Sequence, residues 1–275
     1  MANFTAADVK RLRDATGAGM LDCKNALAEC DGDHDQAVEY LRVKGLKGVV
    51  KREGRQASNG LVTSHVDGGV GTLLELNCET DFVAKGERFQ ALAQEVLDQA
   101  VRVSAADVEA LLSSELDGGR TVKELIDEAN VAIGEKILVR RVARLQAPGV
   151  AAYLHRTSPD LPPQIGVLFG TDPACEIGRD IALHIAAMSP RYLTREEVPT
   201  ELVAEERRIA EETAREEGRP EKALVKIVEG RVNGFFKENV LLDQAFAREQ
   251  KKTVAAVLTA AGATARGFVR FRVGA

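Results

Sequence analysis

The sequence predicts an α+β protein: a small three-helix module at the front, then two similar subdomains, each an antiparallel sheet with flanking helices. Three observations carry this. Short apolar stripes at helical spacing fill residues 1–45. Residues 60–147 and 148–275 repeat one order of strand and helix signals, as an internal duplication would. The closing run Phe268-Val269-Arg270-Phe271-Arg272-Val273 alternates with period two. It sets Val269, Phe271 and Val273 on one face and Arg270 and Arg272 on the other, the pattern of a sheet covered by helices on one side.

In the front module, Thr5 followed by Asp8 has the form of a capping box, with Asp in place of the usual Glu or Gln. Ala6, Val9 and Leu12 recur at helical spacing, so a first helix runs to about Ala15. Thr16-Gly17-Ala18-Gly19 breaks it, because two glycines open backbone angles that a helix does not use. Met20, Cys23, Leu27 and Cys30 mark the buried stripe of a second helix. Asp31-Gly32 ends that one, Asp33 with Gln36 caps a third, and Ala37, Val38 and Leu41 form its inner face up to a stop at Gly45. Three short helices with a glycine loop after the first resemble the ubiquitin-associated fold. Lys10, Arg13, the loop 17–19 and Leu21 are its exposed candidates for contact. Over 46–59 a basic run begun at Lys44 continues through Lys47, Lys51, Arg52 and Arg55, which reads as a solvated connector helix and then a linker.

The duplication is visible residue by residue. Gly60-Leu61-Val62-Thr63-Ser64-His65 is echoed by Gly149-Val150-Ala151-Ala152-Tyr153-Leu154-His155. A second apolar strand follows in each copy, Gly71-Thr72-Leu73-Leu74-Glu75-Leu76 and Ile165-Gly166-Val167-Leu168-Phe169, then a helix, over 89–101 and 178–188. Thr121-Val122 opens a helix before the strand Ile137-Leu138-Val139-Arg140, and Thr253-Val254 opens one before the closing strand. Ala147-Pro148-Gly149 separates the copies. The second copy carries an antiparallel helical hairpin over 201–237, with Leu202, Ile209 and Ala210 on its first arm. Gly218-Arg219-Pro220 stops one helix and starts the next, and Leu224, Ile227, Val228, Val232 and Phe235 stripe the second arm.

Composition narrows the function classes. The formal net charge of −5 argues against a nucleic-acid binder, which needs a Lys/Arg excess to neutralise phosphates. With no tryptophan and 4% aromatic residues, base stacking is a poor hypothesis. The four cysteines form no Cys-x-x-Cys pair. No apolar run nears the ~20 residues of a membrane span, and Met1-Ala2-Asn3-Phe4-Thr5 has no basic start or cleavage site. The expectation is a reduced, cytoplasmic protein. Phosphate loops, His-Glu-x-x-His helices and nucleophile elbows are missing. His65 and His155 occupy equivalent places in the repeat, and His184 lies in an apolar helix as a core or interface side chain. The expectation is therefore a binding protein and not an enzyme, with no cofactor and no metal.

One segment stands apart: Asn77-Cys78-Glu79-Thr80-Asp81-Phe82-Val83-Ala84-Lys85 joins a strand to a helix. Two readings are open. In one, Thr80 or Asp81 is a helix N-cap and Phe82 a core residue. In the other, Phe82 sits on a protruding turn as a wedge for another protein's apolar crevice, where burying the ring is worth roughly 1.5–3 kcal/mol.

Across nearly its whole length the sequence resembles the bacterial elongation factor Ts family. The resemblance is carried by Val9-Lys10 with Arg13, by Thr16-Gly17-Ala18-Gly19-Met20 and by the segment Asn77 to Lys85. Further on it is carried by His184-Ile185-Ala186-Ala187, Val228-Glu229-Gly230-Arg231 and Gly267-Phe268-Val269-Arg270-Phe271. It implies guanine-nucleotide exchange on elongation factor Tu during translation elongation. Lys10, Arg13, Met20 and Leu21 would grip the GTPase's nucleotide domain. Thr80, Asp81, Phe82 and Val83 would press into that domain, disturbing its magnesium site and phosphate loop. His184 and Ile185 would hold another domain of the partner. Some members continue into a C-terminal helical module, whereas this sequence closes at Gly274-Ala275, so contacts of that module would be missing or made elsewhere. The competing reading is a ubiquitin-like or peptide-binding adaptor working through the front module, which leaves Asn77 to Lys85 without a purpose.

Overall fold

The computed structural model describes residues 3–52 and 54–275, the side chains of 46–52 excepted. Three helices open the chain: α1 (Ala6–Thr16), α2 (Met20–Glu29) and α3 (His34–Arg52). Thr5 and Asp8 form the capping box the sequence suggests, and Gly17 ends α1 in the left-handed region at φ 70°, where a side chain would be strained. Val9, Leu12, Cys23, Ala26, Leu27, Ala37 and Leu41 meet in a core of their own. Met20 is not in that stripe: at the first turn of α2 it is 48% exposed. Gly45 is not a stop either, since α3 runs on to Arg52. Its role is close approach: a Cβ there would lie 2.5 Å from Val131, in the helix Val122–Ile133. The Lys47, Lys51 and Arg52 side chains of the expected basic connector lie outside the described residues.

The remainder forms two three-stranded antiparallel sheets. The first, ordered β1-β2-β3, uses β1 (Asn59–Asp67), β2 (Val70–Cys78) and β3 (Leu138–Gln146). Between β2 and β3 run α4 (Asp81–Lys85), α5 (Glu87–Arg102), α6 (Val108–Ser113) and α7 (Val122–Ile133). Phe89, Leu92, Ala93, Val96, Leu97 and Ala100 recur at three and four residues along α5 and pack against Leu74 and Leu76 of β2. The second sheet, ordered β4-β5-β8, uses β4 (Gly149–His155), β5 (Ile165–Asp172) and β8 (Thr264–Arg272). Between β5 and β8 come α8 (Gly178–Met188), α9 (Thr200–Glu216), α10 (Glu221–Asn239), the short strands β6 (Ala245–Phe246) and β7 (Glu249–Thr253), and α11 (Val254–Ala260). Thr121 and Thr253 cap α7 and α11 alike. The pair β6-β7 had no counterpart in the sequence reading.

The one-sided cover expected of the sheets is corrected by how they stack. Helices cover the outer face of each sheet, and the inner faces pack on each other through Val62, Leu73, Leu168 and Phe271. Central strands β2 and β5 are therefore buried on both faces, which their near-continuous apolar runs require. The duplicated Gly-x-Leu positions interlock: a Cβ on Gly71 would meet Leu168 at 2.9 Å, and one on Gly166 would meet Leu73 at 2.8 Å. Each glycine makes room for the other copy's leucine. Glu75 is buried between the sheets and pairs with Arg141 at 2.5 Å. That guanidinium also donates to the Arg272 carbonyl and lies 4.6 Å from the Phe271 ring centroid, joining the two sheets. On the other face of β8, Arg270 points at α8 and not at solvent, donating to the Ala186 carbonyl. Burial, with Arg272 and Arg141 nearby, depresses its pKa.

The hairpin is present as α9 and α10, held together by Ala210, Val228 and Val232, with Val203 and Phe236 packed against them. Ile209, expected in the stripe, is exposed instead. The turn between the arms is laced by Glu217, which accepts from Arg219 and Arg231.

Candidate functional site

At the end of β2 the chain turns through Glu79 and Thr80 into the five-residue helix α4. Thr80 is its N-cap, accepting the Val83 N–H, so the capping half of the first reading holds. The core half does not: Phe82 is 80% exposed, more than any other large apolar side chain among the described residues. The pattern explains both. Ala84 turns inward and is buried, Val83 packs partly against the first core, and Phe82 shares the outer face with Asp81 and Lys85. Gly86 breaks the helix after one turn in extended geometry, too soon for a second inward position to draw Phe82 in.

The ring stands beside opposite charges. Lys85 Nζ lies 2.8 Å from Asp81 and 5.8 Å from the Phe82 ring centroid. The hydrogen bond from Lys85 holds the Asp81 carboxyl below the usual carboxylate range, so Asp81 is an anion at neutral pH. Behind it, Cys78 is buried, and desolvation pushes its thiol up to about 12; it serves as a small apolar residue and not as a nucleophile.

The base of this turn is tied from several sides. Arg55 reaches Glu79 at 3.3 Å, Asn59 Nδ2 donates to the Glu79 carbonyl at 2.8 Å, and Asn77 Nδ2 donates to the Ala57 carbonyl at 3.0 Å. At the first residues of β1, Gly60 has φ 146° and a Cβ there would fall 2.1 Å from the Leu76 carbonyl oxygen, so only glycine lets β1 close on β2 here. Glu135 and Lys136, from the loop after α7, complete the base. Sequence reasoning missed Arg55, Glu79 and Glu135 as supports. Glu135 is separated from Thr80 by 55 positions, and no local periodicity links them.

Other expected site residues fall into two groups. Lys10 and Arg13 are exposed on α1, and Met20 and Leu21 on α2, Leu21 at 70%. Met20 and Leu21 flank a shallow apolar groove with Phe4, Val9 and Lys24. His184 and Ile185 are placed otherwise. Both are fully buried in the second core. His184 Nδ1 accepts the Ala247 N–H at 3.1 Å, so Nε2 carries the proton and faces Gln244 Oε1 at 2.9 Å. Burial lowers its pKa, which keeps the ring neutral. A direct contact by these two side chains with a partner does not fit this arrangement; the exposed large apolar residue of α8 is Met188.

Among the described residues no three metal-capable side chains cluster, and no helix is long and apolar enough to cross a membrane. The site is an exposed aromatic ring on a turn whose base is hydrogen-bonded from several sides, with a second apolar and basic face on the front helices, the features of a docking surface. The relatives narrow this class. The family model described as Elongation factor TS matches residues 79–275. The elongation factor Ts of Kineococcus radiotolerans is 64% identical over 276 residues, covering 100% of both chains. Those of Beutenbergia cavernae and Streptomyces griseus are 61% and 58% identical, again over 100% of both chains. This chain belongs to the elongation factor Ts family.

Proposed function

We propose that the chain is a guanine-nucleotide exchange factor that binds elongation factor Tu and promotes GDP release. The observation that carries the reading is Phe82, 80% exposed on a turn whose base is pinned from Arg55, Asn59 and Glu135. A ring held out in water gains by entering a partner's crevice, and a rigid base delivers that gain as displacement of the partner. Asp81, ionised beside it, would oppose the anionic groups that hold the magnesium ion. Lys10, Arg13, Met20 and Leu21 would grip the nucleotide domain while Thr80 and Val83 fix the wedge. His184 and Ile185 stay inside the second core as packing, under an α8 surface that would meet another domain through Met188. On this division 1–45 is the gripping module, 46–59 the connector, 60–147 the wedge subdomain, and 148–275 the holding subdomain with its hairpin.

Exchange of this kind uses no covalent chemistry. If the factor weakens nucleotide binding, nucleotide weakens binding of the factor equally, so incoming GTP expels it. Each ~1.4 kcal/mol of preference for the distorted partner gives a tenfold shift, and a wedge with several flanking contacts is needed for useful acceleration. Release of a fluorescent GDP analogue from elongation factor Tu tests this. Substoichiometric wild-type chain should speed release, and Phe82→Ala should lose most of the effect while its circular dichroism stays unchanged. No acceleration by wild type would sink the assignment.

A further inference from the structure

Thr80, which caps α4, is not held by its own segment alone. Its N–H donates to Glu135 Oε2 at 3.0 Å and its hydroxyl to Glu135 Oε1 at 2.6 Å, so one carboxylate grips both groups. The contact is returned: the Lys136 N–H donates to Glu79 Oε1 at 2.6 Å. Each loop thus offers a carboxylate to the backbone of the other. The loop carrying Glu135 is itself fixed. Gly134 ends α7 in the left-handed region at φ 83°, which turns the chain toward α4. Buried Asn130 then accepts the Ile137 N–H at 2.5 Å and donates to the Ile137 carbonyl at 3.1 Å.

Asn130 thus anchors the chain at Ile137, two residues beyond Glu135, and Glu135 in turn holds Thr80, which caps the turn that bears Phe82. Hydrogen bonds to an ionised acceptor are shorter and stronger than neutral ones, and two on one residue fix direction as well as distance. The helix they steady has five residues and exposes its largest side chain. Left to itself, such a turn would have to be ordered at the moment of binding, at a cost in affinity.

We propose that Glu135 is a positioning residue that preorganises the Phe82 wedge, acting through Thr80 and never touching the partner. The inference rests on the exchange-factor reading above, and two measurements separate its fate from that reading. The first needs no partner. The chain has no tryptophan, so Phe82→Trp installs a single reporter, and its time-resolved anisotropy reads the freedom of the turn. Adding Glu135→Ala should lower the residual anisotropy at position 82; an unchanged decay overturns the proposal.

The second is nucleotide release. Glu135→Ala, which removes both hydrogen bonds to Thr80, should slow it at least about tenfold. Glu135→Gln should recover part of this, because its amide oxygen still accepts the Thr80 N–H. It also serves as the second variant if Glu135→Ala loses its circular dichroism signal. With Phe82→Ala already present, Glu135→Ala should add no further loss. A further tenfold loss in that background means Glu135 acts independently of the wedge, and wild-type rates for Glu135→Ala mean it does not act at all; either overturns the proposal. Should wild type fail to release nucleotide, the exchange reading falls while the anisotropy result still decides whether Glu135 holds the turn.

Discussion

Two short segments carry much of the resemblance to elongation factor Ts, and the fold treats them in opposite ways. Around α4, Phe82 is pushed out into water; in α8, His184 and Ile185 are drawn wholly inside. In α8, Ile181, His184 and Ile185 stand three and four positions apart and line one inner face, so a helix of 11 residues can bury them together. In α4, the residue three after Phe82 is Lys85, which is itself four after Asp81, so the same spacing places Phe82 beside a charged pair and not over a core. A shared motif therefore marks a segment as needed without saying whether it is needed for packing or for contact. Helical phase separates the two.

The comparison breaks most sharply on function. Phe82→Ala should slow nucleotide release about ten- to hundredfold, the equivalent of burying one aromatic ring. Its midpoint in urea should shift by less than about 0.5 kcal/mol equivalent, as for other surface changes. If the variant instead unfolds early, the ring is part of the core and the contrast with α8 collapses.

His184→Ala should behave in reverse. It opens a cavity and leaves Gln244 Oε1 without its donor inside the second core. The expected cost is about 2–4 kcal/mol of stability by urea unfolding, with exchange near wild type wherever the variant remains folded. Exchange lost at full stability would mean that the imidazole reaches the partner after all, through a rearrangement of α8.

Acid sharpens the same contrast. Burial sets the His184 pKa in the folded chain below its unfolded value, near 6.5. The unfolded state then binds more protons, so this contribution is present in full above about pH 6.5 and is lost as pH falls below it. Between pH 7.5 and 5.5, wild type should lose more stability than His184→Gln, and the gap between them should narrow. Phe82→Ala should track wild type throughout. A parallel loss in wild type and His184→Gln would assign the acid sensitivity to other groups.

Much of this architecture was legible in the sequence because it rests on local rules. The capping box at Thr5, the glycine break after α1 and the stop-and-restart at Gly218-Arg219-Pro220 follow from spacing within a few residues, and the duplicated strand pairs from matching one such local pattern against another. What failed was long-range. Gly45 looks like a helix stop until Val131 is known to lie against it. The arginines of β8 look like a solvated row, yet Arg270 sits under α8 because the two sheets claim each other's opposite faces. At the candidate site, Asn77 to Lys85 stood out but left Phe82 open between core and protruding turn, and its supports come from Arg55 and Glu135, which no pattern in the chain connects.

The smallest expected effect lies on the wedge itself. Lys85 neutralises Asp81 and sits beside the Phe82 ring, both at the surface. Replacing it with Met keeps the length of the side chain and removes the charge. An exposed pair screened by water and salt contributes little to folding, so Lys85→Met should leave the thermal midpoint unchanged within error. Release should slow by about two- to fivefold, the range of a solvent-exposed cation–ring contact, because the ring loses a neighbour that biases its direction. The difference from wild type should shrink as ionic strength rises and the charges are screened. A loss as large as that of Phe82→Ala would mean that the cation contacts the partner directly, and the wedge would then be the pair of side chains and not the ring alone.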